Sequence, residues 1–314
     1  MSAPAPAHAL ELTLALVERH AALGLAAQAD PQALPGEDSP HGIAYAAARR
    51  LGFVPADADC LARAWQRQSE RTGRFDPEAW PGEPADFGMS IGPGSPAFAP
   101  CPRALGLYAV LPSADWVGRL ARAGASTLQL RCKSGDAAAR RAEIRAAVAA
   151  VQGTESLLFI NDHWREAIAA GAYGVHLGQE DLGTLSAADV AEMRDAGLRL
   201  GLSTHGYAEM LRADAVGPSY LALGAVYPTT LKAMATPPQG GARLRVYAHL
   251  LRDRSLVAIG GIGIAQLPEI ARAGVGSFAV VRAITGVEQP EVAAISLRRA
   301  WDQGTQGMWR EAGQ

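Results

Sequence analysis

Leu158-Phe159-Ile160-Asn161-Asp162 and, after a short helical stretch, Gly174-Val175-His176-Leu177-Gly178-Gln179-Glu180-Asp181 each begin apolar and end polar. Apolar runs of that length with a helix between them predict two consecutive parallel strands of a βαβ unit. Asn161, Asp162 and Asp181 then lie at the same end of one sheet. Two carboxylates and an amide converging from neighbouring strand ends suit a hard cation such as Mg²⁺, which takes oxygen ligands. The simpler alternative is that Asp162 only caps the following helix.

Working outward, the pattern repeats. Apolar runs at Gly106–Leu111, Thr127–Leu130, Leu157–Ile160, Gly174–Leu177, Leu198–Leu202, Tyr220–Leu223, Leu256–Ile259 and Ser277–Val281 alternate with helical stretches. Those stretches are Trp116–Ala123, Ala137–Val151, Trp164–Ala169, Ala187–Asp195, Tyr207–Ala213, Arg243–Leu251, Gln266–Ala273 and Glu291–Trp301. Eight such units in about 200 residues predict a (β/α)₈ barrel, an α/β fold of TIM type. A doubly wound open sheet usually shows a glycine-rich loop after its first strand. Here that place holds Pro112-Ser113-Ala114-Asp115.

Before the barrel, residues 1–79 read as a small helical region. Leu10, Leu14, Val17 and Leu25 mark the apolar side of a first helix, and further helices are expected over His41–Leu51 and Asp57–Thr72. Residues 80–103 are rich in Pro and Gly and read as a linker or strap, with Phe87, Met89, Ile91 and Phe98 laid against a neighbour. The barrel spans residues 104–303, and 304–314 form a tail.

Composition narrows the function. The 314 residues carry a formal charge of −2 with 49% hydrophobic content, so no basic field calls for nucleic acid or an anionic membrane. No apolar run reaches the roughly 18 residues that span a bilayer. Cys60, Cys101 and Cys132 are odd in number and widely spaced, which suits neither disulfides nor zinc and favours a reducing, cytoplasmic compartment.

A barrel gathers its chemistry at the C-terminal strand ends. The second end supplies Gln129, Arg131 and Lys133 on one side by period-two alternation, with Cys132 on the other. Those cations either meet an anionic ligand or pair with Asp162 and Asp181. The fifth end gives Ser203-Thr204-His205, and the sixth leads into Tyr227-Pro228-Thr229-Thr230-Leu231-Lys232. The seventh ends in Gly260-Gly261 and the eighth in Val281-Arg282, the usual phosphate site of this fold, where glycine lets backbone N–H groups approach closely. Two anion centres follow: a metal with Arg131, Lys133 and Lys232 for pyrophosphate, and a glycine-lined phosphate pocket.

The motifs QLRCK, FINDH, GVHLGQED, LGLSTH, LGAVYPTTLK, VAIGGI and AVVRAI, in this order over about Ala104 to Ala300, resemble the thiamine phosphate synthase family. The resemblance implies a transferase that joins an aminopyrimidine methyl diphosphate to a thiazole phosphate. It implies that Gln129, Arg131, Lys133, Asn161, Ser203 and Lys232 hold the pyrimidine substrate and that Asp162 and Asp181 bind Mg²⁺. Thr229, Leu231, Gly261, Val281 and Arg282 occupy the thiazole phosphate positions, and Arg131, Lys133, Ser203 and Lys232 would act in catalysis. Three positions differ from the family's usual residues: Cys132 replaces an acid, Leu231 a hydroxyl and Arg282 a serine. The alternatives are a thiazole tautomerase, with His205 as general acid or base, and a non-catalytic binding or regulatory protein that uses its N-terminal helices to meet a partner. The expected partners are small-molecule substrates, and assembly into a homo-oligomer stays open.

Overall fold

A computed structural model describes residues 7–89, 97–229 and 236–306. Eight parallel strands close into a barrel in chain order: β1 (Gly106–Leu111), β2 (Thr127–Leu130), β3 (Leu157–Asn161), β4 (Gly174–Leu177), β5 (Arg199–Thr204), β6 (Tyr220–Leu223), β7 (Leu256–Ile259) and β8 (Ser277–Val280). The closure pairs Gly106 with Ser277 and Tyr108 with Ala279. β5 runs two residues beyond the expected Leu202, which brings Ser203 and Thr204 onto the strand itself. A six-residue helix, Gln179–Thr184, follows β4 where sequence periodicity gave no sign of one, since so short a turn has no repeating apolar face. The last helix, Pro290–Thr305, continues into the expected tail.

Alternation along the strands makes two cores. The outward side chains, such as Leu128, Leu158, Val175 and Leu200, join the surrounding helices in the larger one. The inward ones, including Tyr108, Val110, Phe159, Tyr220 and Val257, fill the barrel. Large rings fit there because small residues face them. A Cβ at Gly201 would fall inside the Tyr220 ring, and one at Gly174 would meet Phe159 Cε1 at 2.5 Å.

The N-terminal helices α1 (Ala7–Arg19), α2 (Pro40–Arg50) and α3 (Pro55–Thr72) belong to the outer core. Ser39 caps α2, its Oγ accepting the Gly42 N–H at 3.1 Å. On α1 the fully buried residues are Ala9, Thr13 and Leu16; of the expected stripe Val17 packs against the same core, Leu10 is half-buried and Leu14 is 46% exposed. Thr13 can be buried because its hydroxyl donates to Ala9 O at 2.8 Å and so is satisfied within its own helix. Leu25 lies beyond the end of α1.

Polar contacts lock these helices to the barrel in both directions. Arg243, buried on the barrel helix Gly240–Leu250, donates to Leu23 O at 2.9 Å and Leu51 O at 3.0 Å. Its guanidinium lies 3.6 Å from the centre of the Phe53 ring. In the other direction, Asp57 accepts the Ala208 N–H at 2.9 Å, and Trp80 Nε1–H donates to the Tyr207 hydroxyl at 3.0 Å. The strap follows the same surface: Phe87 stacks on Tyr207 with ring centres 5.2 Å apart, and the Phe98 N–H donates to Gly217 O at 2.8 Å. Met89 packs against the same core, while Ile91 lies outside the described residues.

Candidate active site

The C-terminal strand ends form a mouth with a polar floor. On that floor Gln129 of β2 is buried; its Nε2 donates to Asn161 Oδ1 of β3 at 2.6 Å, and its Oε1 accepts the Tyr108 hydroxyl hydrogen at 3.0 Å. The Tyr108 and Tyr220 hydroxyls are 2.7 Å apart, and the Tyr220 hydroxyl is 2.7 Å from His176 Nδ1. His176 Nε2 then meets Ser203 Oγ at 2.8 Å. Three of the expected residues, Gln129, Asn161 and Ser203, are thus ends or links of one chain that crosses the barrel.

Tyr108, Tyr220 and His176 complete that chain, and sequence reasoning assigned them no role. The available signal was period two: His176 shares the inward face of β4 with Gly174, and Tyr108 that of β1 with Val110. What alternation could not supply was the reach of each hydroxyl across the barrel.

Above the floor, Arg131 is half-buried and Lys133 exposed just past β2, while Cys132 packs toward the outer core. Asp162 adopts φ 65°, the left-handed region that Asp and Asn tolerate better than most side chains. Its N–H donates to His176 O at 3.0 Å, which ties the end of β3 to β4. The helix Trp164–Ala170 has His163, the residue after Asp162, at its N-cap instead of Asp162 itself. That simpler role falls to Asp181, whose Oδ2 accepts the Gly178 N–H at 3.2 Å at the start of the helix Gln179–Thr184.

His163, the residue after Asp162, feels the charges of Asp181 and of an Arg140–Glu166 ion pair closed at 2.9 Å. Burial, followed by the Arg140 charge, pulls its imidazole below the ordinary value, while Glu166 and Asp181 pull the other way. Among the described residues no group of three or more His, Cys, Asp or Glu side chains is arranged to enclose a metal. Two carboxylates from adjacent strand ends nevertheless fit Mg²⁺, which is commonly held by one or two carboxylates together with substrate phosphates.

On the other side of the mouth, Gly261 has φ 65°, and a Cβ there would meet Pro228 O at 2.5 Å. The glycine is therefore needed for the loop after β6 to lie against β7, besides any approach of phosphate. Gly261 is exposed, as is Arg282, which opens the short helix Arg282–Thr285 after Val281. Thr229 is half-buried on the loop after β6; Leu231 and Lys232 lie outside the described residues. His205 is held by Glu209, with Nδ1 to Oε2 at 2.6 Å. Burial pushes the Glu209 carboxyl up, but the His205 hydrogen bond and charge outweigh it and leave it below its ordinary value.

Comparison with known proteins places the barrel in a family. Residues 107–284 match the family model described as Thiamine monophosphate synthase. The chain is 52% identical over 205 residues to the thiamine-phosphate synthase of Neisseria meningitidis serogroup B, covering 65% of this chain and 98% of that one. It is 53% identical over 191 residues to the thiamine-phosphate synthase of Cronobacter sakazakii, covering 61% and 90% respectively. Among solved structures, a thiamine phosphate pyrophosphorylase from Pyrococcus furiosus superposes with a TM-score of 0.55 at 26% identity, covering 64% of this chain and 98% of that one. A closed eight-stranded barrel carrying this polar floor, matched by the family model over more than half its length, makes the chain a member of the thiamine monophosphate synthase family.

Proposed function

We propose that the protein is a thiamine phosphate synthase: a transferase that joins 4-amino-2-methyl-5-pyrimidinylmethyl diphosphate to a thiazole phosphate and releases pyrophosphate. The observation that carries this reading is the bonded floor of Gln129, Asn161 and Ser203 beneath a rim bearing Arg131, Lys133, Asp162 and Asp181. A planar heterocycle with polar edges suits the floor, and a diphosphate suits the rim.

In this reading Gln129, Asn161 and Ser203 orient the pyrimidine, while Arg131, Lys133 and Lys232 take charge on the departing diphosphate. Asp162 and Asp181 would hold Mg²⁺, which when bound supplies positive charge to the leaving group. The methylene C–O bond breaks with its electron pair leaving on the diphosphate. The thiazole nitrogen then donates a pair to the resulting pyrimidine-methyl cation. Thr229, Leu231, Gly261, Val281 and Arg282 would hold the thiazole phosphate close enough for capture to outrun water. A backbone N–H at Val281 or Arg282 and the Arg282 guanidinium can serve the phosphate in place of a serine hydroxyl.

Three free cysteines support a reducing, cytoplasmic setting for this chemistry. No helix among the described residues is long and apolar enough to cross a membrane. The test is pyrophosphate release from the pyrimidine diphosphate with thiazole phosphate and Mg²⁺ supplied together or omitted singly. Turnover needing all three supports the synthase; none in the complete mixture overturns it.

A further inference from the structure

We propose that Tyr108 and Tyr220 are positioning residues that fix the hydrogen-bond polarity of the floor, and that this polarity selects a 4-aminopyrimidine over a 4-oxopyrimidine. The specificity half of the proposal rests on the synthase reading; the polarity half does not.

The polarity follows from the hydrogens along one chain. Tyr108 and Tyr220 are 2% and 1% exposed, and burial pushes both hydroxyls well above their ordinary range, so each keeps its single hydrogen. Gln129 Nε2 donates to Asn161 Oδ1, and Gln129 Oε1 accepts from Tyr108. With its hydrogen committed, Tyr108 can only accept from Tyr220. Tyr220 in turn can only accept, so His176 Nδ1 carries a hydrogen and donates it. In the neutral imidazole Nε2 is then a lone pair, and Ser203 donates to it.

The two ends of the chain inherit opposite characters. The Asn161 oxygen is engaged by Gln129, so the amide offers its NH₂ to the mouth. The Ser203 hydrogen is spent on His176, so its oxygen offers lone pairs. One donor and one acceptor are the characters called for by the edge of a 4-aminopyrimidine, where a ring-nitrogen lone pair adjoins an exocyclic NH₂. The 4-oxo form carries N–H beside C=O, the reverse pattern, and would set donor against donor and acceptor against acceptor. Sites that hydrogen-bond a substrate edge reject the mismatched analogue strongly because buried groups are left unpaired.

The full-length chain, labelled with ¹⁵N-histidine, tests the polarity directly, with the His176 signals assigned by their loss in His176→Gln. A protonated Nδ1 and a lone pair on Nε2 is the expected tautomer. Protonation on Nε2, alone or together with Nδ1, means that Ser203 receives a hydrogen instead of giving one and overturns the proposal.

The specificity is read from kcat/KM on the 4-amino and 4-oxo pyrimidine diphosphates. Tyr108→Phe and Tyr220→Phe are expected to reduce the wild-type preference by roughly 10- to 100-fold, the equivalent of one lost buried hydrogen bond. The change should fall in the KM of the pyrimidine substrate, with the KM of thiazole phosphate unmoved. An equal loss on both pyrimidines marks a merely structural role and overturns the specificity half. The expected tautomer without turnover of either pyrimidine overturns the synthase reading and the specificity half together, and leaves the polarity standing.

Discussion

Asp57, in the first turn of α3, accepts the Ala208 N–H at 2.9 Å and so caps a barrel helix from outside the barrel. The helix Tyr207–Asp214 has Gly206 at its own N-cap, which has no side chain to do this, and a Cβ there would collide with the Asp57 carboxylate. Helix and cap come from opposite sides of the strap, and the glycine makes room for the union. The matches to relatives leave about a third of this chain outside them, so the cap tests whether the N-terminal helices support the barrel they touch.

Burial pushes the Asp57 carboxyl above its ordinary value, with the Ala208 hydrogen bond and then Arg243 offsetting part of the rise. A folded-state value above the unfolded one means that the stabilising effect of the proton is complete below the unfolded value, near about 3.9, and is lost as pH rises through the folded one. Asp57→Asn keeps an acceptor and does not titrate, so its stability should gain on wild type from pH 4 toward pH 7. Asp57→Ala removes the cap and should cost about 0.5–2 kcal/mol at pH 4, and less at pH 7, because alanine does not titrate either. Urea midpoints of the three proteins at both pH values decide this; an Asn variant that falls behind wild type as pH rises contradicts it.

Arg243 is the reciprocal contact, a buried cation serving the carbonyls of Leu23 and Leu51. Arg243→Met retains much of the stem's packing but leaves those acceptors unmet, so it should destabilise by roughly 2–4 kcal/mol. The measurement is again the denaturation midpoint. A shift within error would mean that the guanidinium contributes little to docking.

At the mouth, Asp162→Asn separates charge from backbone. Asn tolerates the φ of 65° as well as Asp does, so the fold should unfold with unchanged cooperativity. If the carboxylate serves the diphosphate, kcat/KM should fall on the order of 10²–10³-fold. Asp162→Ala should lose stability as well, about 1–2 kcal/mol, because alanine is strained in the left-handed region. Wild-type turnover by the Asn variant would remove Asp162 from the metal site.

Gly261→Ala tests the phosphate side. The added Cβ is strained at φ 65° and presses on Pro228 O, so the loop after β6 must move. The KM for thiazole phosphate should rise roughly tenfold, equivalent to about 1.4 kcal/mol, and by more than the KM for the pyrimidine diphosphate, which meets this loop only through Lys232. Equal rises in both would show that the two halves of the mouth are not separable.

The order of eight strand–helix units, the strand limits to within two residues and the grouping of Asn161, Asp162 and Asp181 at one end were legible in the chain. Each rests on local periodicity, which the sequence carries directly. The resemblance carried by the strand-end motifs likewise survives as family membership. Tertiary structure decided what periodicity cannot encode. It buried Thr13 in place of Leu14, because a hydroxyl satisfied within its own helix can enter a core. It gave the capping role to Asp181 and left Asp162 in a left-handed turn between β3 and β4. It also joined Tyr108, Tyr220 and His176 into the floor, and Asp57 to Ala208, across residues far apart in the chain. A hydrogen bond between distant side chains depends on where closure of the barrel places both ends, and no local pattern in the sequence contains that distance.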